Sequence, residues 1–215
     1  MKNCLVIQHY DSTTAGSTFD WLVQKSIKFQ VWRVDSQPEP DISKFEGLIV
    51  CGGKHNVDQV DVYPWLKREK EIIKERAEKG SPVLGLCLGG QLLAESIGGE
   101  VGPHKGWEIG WYPVQLANDE ILTSFQYHSY RFLIPPKAEL TVKGDYCLHQ
   151  GFSYKNSMGF QFHPECTKEW IVNCTNGMTT NYQGNVQTAK QIIDDIANQV
   201  TLQNWYYKVL ESWVK

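Results

Sequence analysis

Residues 82–99 read PVLGLCLGGQLLAESIGG, an apolar run that reaches a glycine-flanked cysteine and passes at once into helical spacing. Val83, Leu84 and Leu86 have the continuous apolar character of a strand buried on both faces, as in the middle of an α/β sheet. Leu92, Leu93, Ala94 and Ile97 follow at helical spacing, and Gly98-Gly99 stops the segment. Cys87 therefore sits at a strand-to-helix corner.

The pattern Gly85-Leu86-Cys87-Leu88-Gly89 is the cysteine counterpart of the G-x-S-x-G nucleophile elbow, a sharp turn that pushes its central side chain clear of the backbone. A helix N-terminus beside the sulfur offers partial positive charge and free N–H groups, which favour a thiolate. The competing reading is a small apolar residue in a tight turn, because unpaired cysteines are commonly buried and inert. The run alone leaves both open.

The rest of the chain fits the same architecture. Residues 3–8, 29–34, 46–51 and 82–87 are expected strands, with a short helix holding Phe19, Trp21 and Leu22 after the first. Residues 63–80 are an expected helix, with Pro64 in its first turn, Leu66, Ile72, Ile73 and Ala77 inward, and the charged residues on a solvated face. The helix completes a right-handed βαβ crossover, and ligands in such sheets bind outside the carboxyl ends of the strands. Gly52-Gly53 and Cys87 both lie at such ends. From residue 100 the texture changes to shorter runs at 110–116, 125–132, 138–143 and 146–150, read as partly antiparallel strands flanking the main sheet. A strand at 158–162 then ends in His163-Pro164-Glu165. Residues 170–174 are an expected short helix, 176–185 a polar loop and 186–214 a long or broken terminal helix. In that helix Ile192, Ile196 and Val200, then Trp205, Val209 and Trp213, form a core-packing stripe.

At 215 residues and 41% hydrophobic content, the chain has enough apolar material for one large α/β domain spanning residues 1–215. The net charge of -3, with both signs interspersed, gives no footprint for nucleic acid or an anionic membrane. The N-terminal MKNCLVIQHYDS lacks a signal-type apolar core and no window reaches the length of a span, so a soluble, cytoplasmic protein is expected. The six cysteines are then expected to be reduced. Cys147 and His149 are close in sequence, but no second pair at zinc-like spacing accompanies them, so neither a metal nor a cofactor is expected.

A cysteine nucleophile needs a base, and the base needs a third group to hold its ring. His163 and Glu165, two residues apart, supply that pair, although His-Pro-Glu alone also reads as a plain turn. The combination of PVLGLCLGGQLLA, GFQFHPE (159–165), the strand-end Gly52-Gly53 and FQYHSY (125–130) resembles class I glutamine amidotransferases. YPWL (63–66) and EIGWYPV (108–114) are similar to the subgroup containing the amidotransferase domain of GMP synthase. The resemblance covers about residues 5–170.

That resemblance implies an open, mostly parallel sheet with helices on both faces, flavodoxin-like, with a small antiparallel addition. It further implies a Cys87-His163-Glu165 triad that cleaves the side-chain amide of glutamine through a γ-glutamyl thioester. The backbone N–H groups of Gly53 and Leu88 would form the oxyanion hole, with Gly52, Gln91, His128, Ser129 and Tyr130 holding the substrate. Tyr130 stands where the subgroup commonly has aspartate, and Lys54 where proline usually follows the glycines. Glu108 is either a replacement partner for the substrate ammonium or a solvent-facing strand carboxylate. No glycine-rich phosphate loop occurs and the residues after 170 are too few for a synthetase domain, so ammonia goes to a separate synthetase subunit or is released. A stand-alone hydrolase of γ-glutamyl compounds and an inactive module of the same fold are the alternatives.

Overall fold

The chain opens with β1 (Asn3–Gln8), α1 (Ser17–Gln24), β2 (Lys28–Arg33), β3 (Gly47–Val50), α2 (Trp65–Glu78), β4 (Val83–Leu86) and α3 (Leu88–Ser96). Leu48 to Val50 and Val83 to Leu86 are fully buried, as continuous apolar strands between two layers of helix must be. The computed structural model describes residues 1–179 and 181–214; Thr180, inside the expected polar loop, and Lys215 lie outside the described residues.

The second part holds β5 (Val101–Leu116), β6 (Ile121–Phe132), β7 (Glu139–Gly144), β8 (His149–Tyr154), β9 (Ser157–Phe160), α4 (Lys168–Asn176), β10 (Gly184–Val186), α5 (Ala189–Asp194) and α6 (Asn198–Trp213). Among the described residues, ten strands join one sheet in the order β10-β5-β7-β8-β9-β4-β3-β1-β2, with β6 paired to β5. The run β9-β4-β3-β1-β2 is parallel throughout. Its order reverses between β1 and β3, and the crevice at such a reversal is where open α/β sheets bind ligands. The antiparallel strands continue the same sheet past β9.

Two cores cover the two faces. Trp21 of α1, Ile171 of α4, Ile192 of α5 and Leu202, Tyr206, Leu210 and Trp213 of α6 pack on one. Leu66, Ile72, Ile73 and Ala77 of α2 and Leu92 and Leu93 of α3 pack on the other.

Three readings need correction. The strand expected at 146–150 is β8, shifted to 149–154, because Asp145 to Leu148 form the turn out of β7. Gly184 and Asn185 of the expected polar loop and Val186 of the expected terminal helix pair with Trp107 to Ile109 as a short edge strand, and the helix starts at Ala189. The terminal stripe also differs. The helix breaks between α5 and α6, which resets the phase, so the buried line of α6 is Gln199, Leu202, Tyr206, Leu210 and Trp213, and Val200 is 48% exposed.

Candidate active site

The elbow is formed as its glycines require. Cys87 has φ 50° and ψ -107°, a conformation rarely adopted by a residue with a side chain, and lies between β4 and the first turn of α3. A Cβ on Gly89 would run into the carbonyl of Val50, and one on Gly90 would stand 2.5 Å from the carbonyl oxygen of Phe160. Their bare backbones seat α3 directly on β3 and β9. The Cys87 N–H donates to Phe160 O at 2.8 Å, and Sγ lies 4.0 Å from both Tyr127 O and Gln161 Nε2.

His163 follows β9, its N–H bonded to Phe125 O at 2.9 Å and its ring 4.9 Å from that of Trp170. Nδ1 donates to Glu165 Oε1 at 2.8 Å, with both side chains buried. Burial opposes charge on the ring, but the Glu165 carboxylate and the hydrogen-bonded Cys87 sulfur outweigh it and hold His163 up at about 10. A Cβ on Gly52 would lie 3.0 Å from His163 Cε1 and 3.6 Å from Cys87 Cβ, so a side chain there would crowd both groups.

The turn carrying Glu165 is pinned from outside the motif. Gly16, at φ 50°, precedes α1, where a Cβ would strike the Glu165 carbonyl, and Ser17 N donates to that carbonyl at 2.9 Å. From the far end of the chain, Gln199 Nε2 donates to Cys166 O at 3.1 Å and Tyr207 hydroxyl to Ser17 O at 3.0 Å.

Gly53 and Leu88 are neighbours, since a Cβ on Gly53 would come 2.6 Å from Leu88 Cδ2. Leu88 opens α3, where an N–H has no intrahelical partner. Behind them is a second buried histidine-glutamate pair, absent from the sequence reading. His9 Nδ1 donates to Gly52 O at 2.9 Å and Nε2 to Glu69 Oε1 at 2.9 Å. Both ring nitrogens face acceptors. Burial resists the charge, yet Glu69 and the Gly52 carbonyl raise the ring's proton affinity above its ordinary value. Glu69 is 0% exposed, which corrects the reading of every charge on α2 as solvated. The signal was present: Leu66, Glu69 and Ile73 lie at i, i+3 and i+7 on one helix face.

The expected substrate residues divide. Ser129 and Tyr130 are partly exposed on β6, and the Tyr130 hydroxyl donates to Asp58 Oδ2 at 3.1 Å. Gln91 is buried and donates to Gln161 Oε1 at 3.3 Å. The His128 ring lies beneath β6, on the face opposite Tyr127, with Nδ1 donating to Tyr130 O at 3.0 Å. Glu108 is not a solvent-facing carboxylate: it is 2% exposed, because its pairing with His128 across β5 and β6 turns it inward. Glu108, His128 and Cys147 bring an oxygen, a nitrogen and a sulfur within 4.8 Å of one another. Lys54 sits over the Tyr10 ring at 3.6 Å. An open cleft of about 620 Å³ reaches Cys87, Gly53, His163 and Tyr127, walled by Thr13, Thr14, Lys54 and Trp170.

Burial pushes the other thiols up, Cys4, Cys147 and Cys174 to about 12 and Cys51 and Cys166 further. Of those five only Cys174 also lines the cleft, and it is not at a strand-to-helix elbow.

Comparison with known proteins agrees with this architecture. The family model described as glutamine amidotransferase class-I matches residues 5–170. The crystal structure of a glutamine amido transferase from Methylobacillus flagellatus superposes with a TM-score of 0.92 at 30% identity, covering 100% of this chain and 94% of that one. The glutamine amidotransferase-like protein YfeJ of Salmonella typhimurium is 25% identical over 226 residues, 96% of this chain and 91% of its own length. Gamma-glutamyl peptidase 2 of Arabidopsis thaliana is 28% identical over 148 residues, 62% of this chain and 59% of its own.

Proposed function

The chain belongs to the class I glutamine amidotransferase family, and on that premise we propose that it cleaves the side-chain amide of glutamine through a thioester on Cys87. The observation that carries this reading is His163 held by Glu165 at 2.8 Å in the cleft that Cys87 opens into. Cys87 Sγ gives up its proton to His163 and attacks the amide carbon. The oxygen that gains charge is met by the N–H groups of Gly53 and Leu88, donors of a kind whose loss costs about 10²–10³ in rate. The carbon–nitrogen bond breaks as His163 returns its proton to the departing ammonia. Water, deprotonated by the same ring, then opens the thioester and frees glutamate and the thiol.

A γ-glutamyl peptide or amine would pass through the same thioester with an amine leaving instead of ammonia. The similarity to a named gamma-glutamyl peptidase, together with Tyr130 and Lys54 at positions that differ from the synthetase-type pattern, favours keeping this second substrate class. A separate synthetase subunit is the acceptor we propose for ammonia if glutamine is the substrate. The test is a panel of glutamine, γ-glutamyl peptides and γ-glutamyl amines, with ammonia or amine release followed. We expect turnover of at least one class, abolished in Cys87→Ser with the fold retained. Unchanged turnover in that variant would remove the thiol mechanism.

A further inference from the structure

Beneath the substrate-side strand, on the face of β6 away from Cys87, an inward-facing polar cluster takes no part in the steps proposed above. Its residues are Glu108 of β5, Gln126 and His128 of β6, Cys147 of the turn between β7 and β8, and Gln150 of β8, all at most 3% exposed. Buried polar groups of this kind must find partners, and here the partners do not balance.

Ser124 Oγ donates to Tyr112 O at 3.1 Å and so accepts from Gln126 Nε2 at 2.9 Å. That turns Gln126 Oε1 onto His128 Nε2 at 3.0 Å. Glu108 Oε2 approaches the same nitrogen at 3.2 Å, while Nδ1 spends its hydrogen on Tyr130 O at 3.0 Å. Nε2 thus has two oxygens against it, the Cys147 thiol beside it reaches only His149 O at 3.7 Å, and Gln150 Oε1 is buried with no partner. Such a site calls for a cation.

The geometry points to a zinc-type metal site formed by Glu108, His128 and Cys147, with a glutamine side-chain oxygen completing the shell. A tetrahedral zinc holds N, O and S donors at about 2.0–2.3 Å and therefore about 3.3–3.8 Å from one another, a modest contraction from the present spread. That spread is at most 4.8 Å. One imidazole, one carboxylate and one thiolate form a familiar borderline-soft donor set. The outer contacts also have the expected form: the ring donates its other N–H to a backbone carbonyl, and the carboxylate accepts from Gln150 Nε2 at 2.9 Å. Charge balances as well, because one carboxylate and one thiolate neutralise a divalent ion. The ligands lie at positions 108, 128 and 147, a spacing no linear zinc motif has; strand pairing brings them together.

The full chain, stripped with a chelator, is to be titrated with zinc by equilibrium dialysis and with cobalt by absorption. Wild type should take up one zinc per chain and show a thiolate-to-cobalt charge-transfer band. Cys147→Ser should abolish that band and weaken zinc binding by about 10- to 100-fold or more, a scale set by the losses known for outer-sphere partners alone. The near-isosteric Glu108→Gln, which keeps the cluster's volume if the serine variant misfolds, should weaken zinc binding similarly. No saturable zinc uptake by wild type, or uptake and a cobalt band that survive in both variants, would overturn the site.

Discussion

At the scale of single residues, two imidazoles are each held between acceptors, His163 by Glu165 and His9 by Glu69 and the Gly52 carbonyl. The first is the group we assign as acid and base, the second a support for the peptide that carries Gly53. Because Glu165 holds His163 up at about 10, its acidic form, needed for ammonia departure, persists well above neutral pH. Glu165→Gln removes that carboxylate charge and leaves burial opposed only by the Cys87 sulfur. The alkaline limb of kcat/KM should move down in pH, and kcat should fall by roughly 10²–10⁴. Ammonia or amine release measured from neutral to strongly alkaline pH checks both; a limb that stays in place would mean Glu165 does not set the ring's charge. The sign for stability follows by linkage. A ring raised from 6.5 to about 10 stabilises the fold fully below 6.5 and loses that contribution as pH rises toward 10. The wild-type melting temperature should therefore fall across that interval more steeply than that of Glu165→Gln.

At the scale of elements, the elbow depends on how closely α3 approaches the strands beneath it. In an exposed helix, glycine to alanine gains about 1 kcal/mol. At Gly90 the sign should reverse, because the new methyl would stand 2.5 Å from the Phe160 carbonyl oxygen that also accepts the Cys87 N–H. Gly90→Ala should lower both stability and turnover, read by denaturant titration and product release; a stabilised, fully active variant would show that α3 has room to lift. This strand-turn-helix unit was legible in the sequence because its determinants are local: glycine positions, an apolar run and a change of period. The antiparallel half was legible only in outline. In β5, Gly102, Pro103 and Gly106 disguise a strand that runs from Val101, and a bulge between Pro103 and Glu108 breaks its alternation. Residues 184–186, Gly-Asn-Val, carry no strand pattern of their own and pair along an edge that β5 offers. His9 and Glu69 have no motif of their own; 60 positions separate them, and topology alone joins them.

At the scale of the whole molecule, the active-site turn is gripped from both ends of the chain. α1 caps the Glu165 carbonyl, and α6 holds α1 through Thr18 and Tyr206, whose hydroxyls lie 2.9 Å apart, while also bonding Cys166 O through Gln199. The described residues beyond the family match are thus structurally continuous with the site. The apolar line Leu202, Tyr206, Leu210 and Trp213 fixes α6 to the sheet, so its loss should act on stability before chemistry. Leu210 is 0% exposed and is not among the residues that wall the cleft. Leu210→Ala should cost about 2–5 kcal/mol. The melting temperature should then drop by roughly 2–4 °C per kcal/mol for a domain of this size. Well below that temperature, kcat should stay close to wild type, since the pinning bonds of Gln199 and Tyr206 remain. Gln199→Leu should do the reverse, leaving the apolar line in place while releasing Cys166 O and lowering kcat more than stability. Calorimetry paired with turnover on the two variants separates the roles; equal effects of both on both readouts would mean that α6 serves the site only by keeping the chain folded.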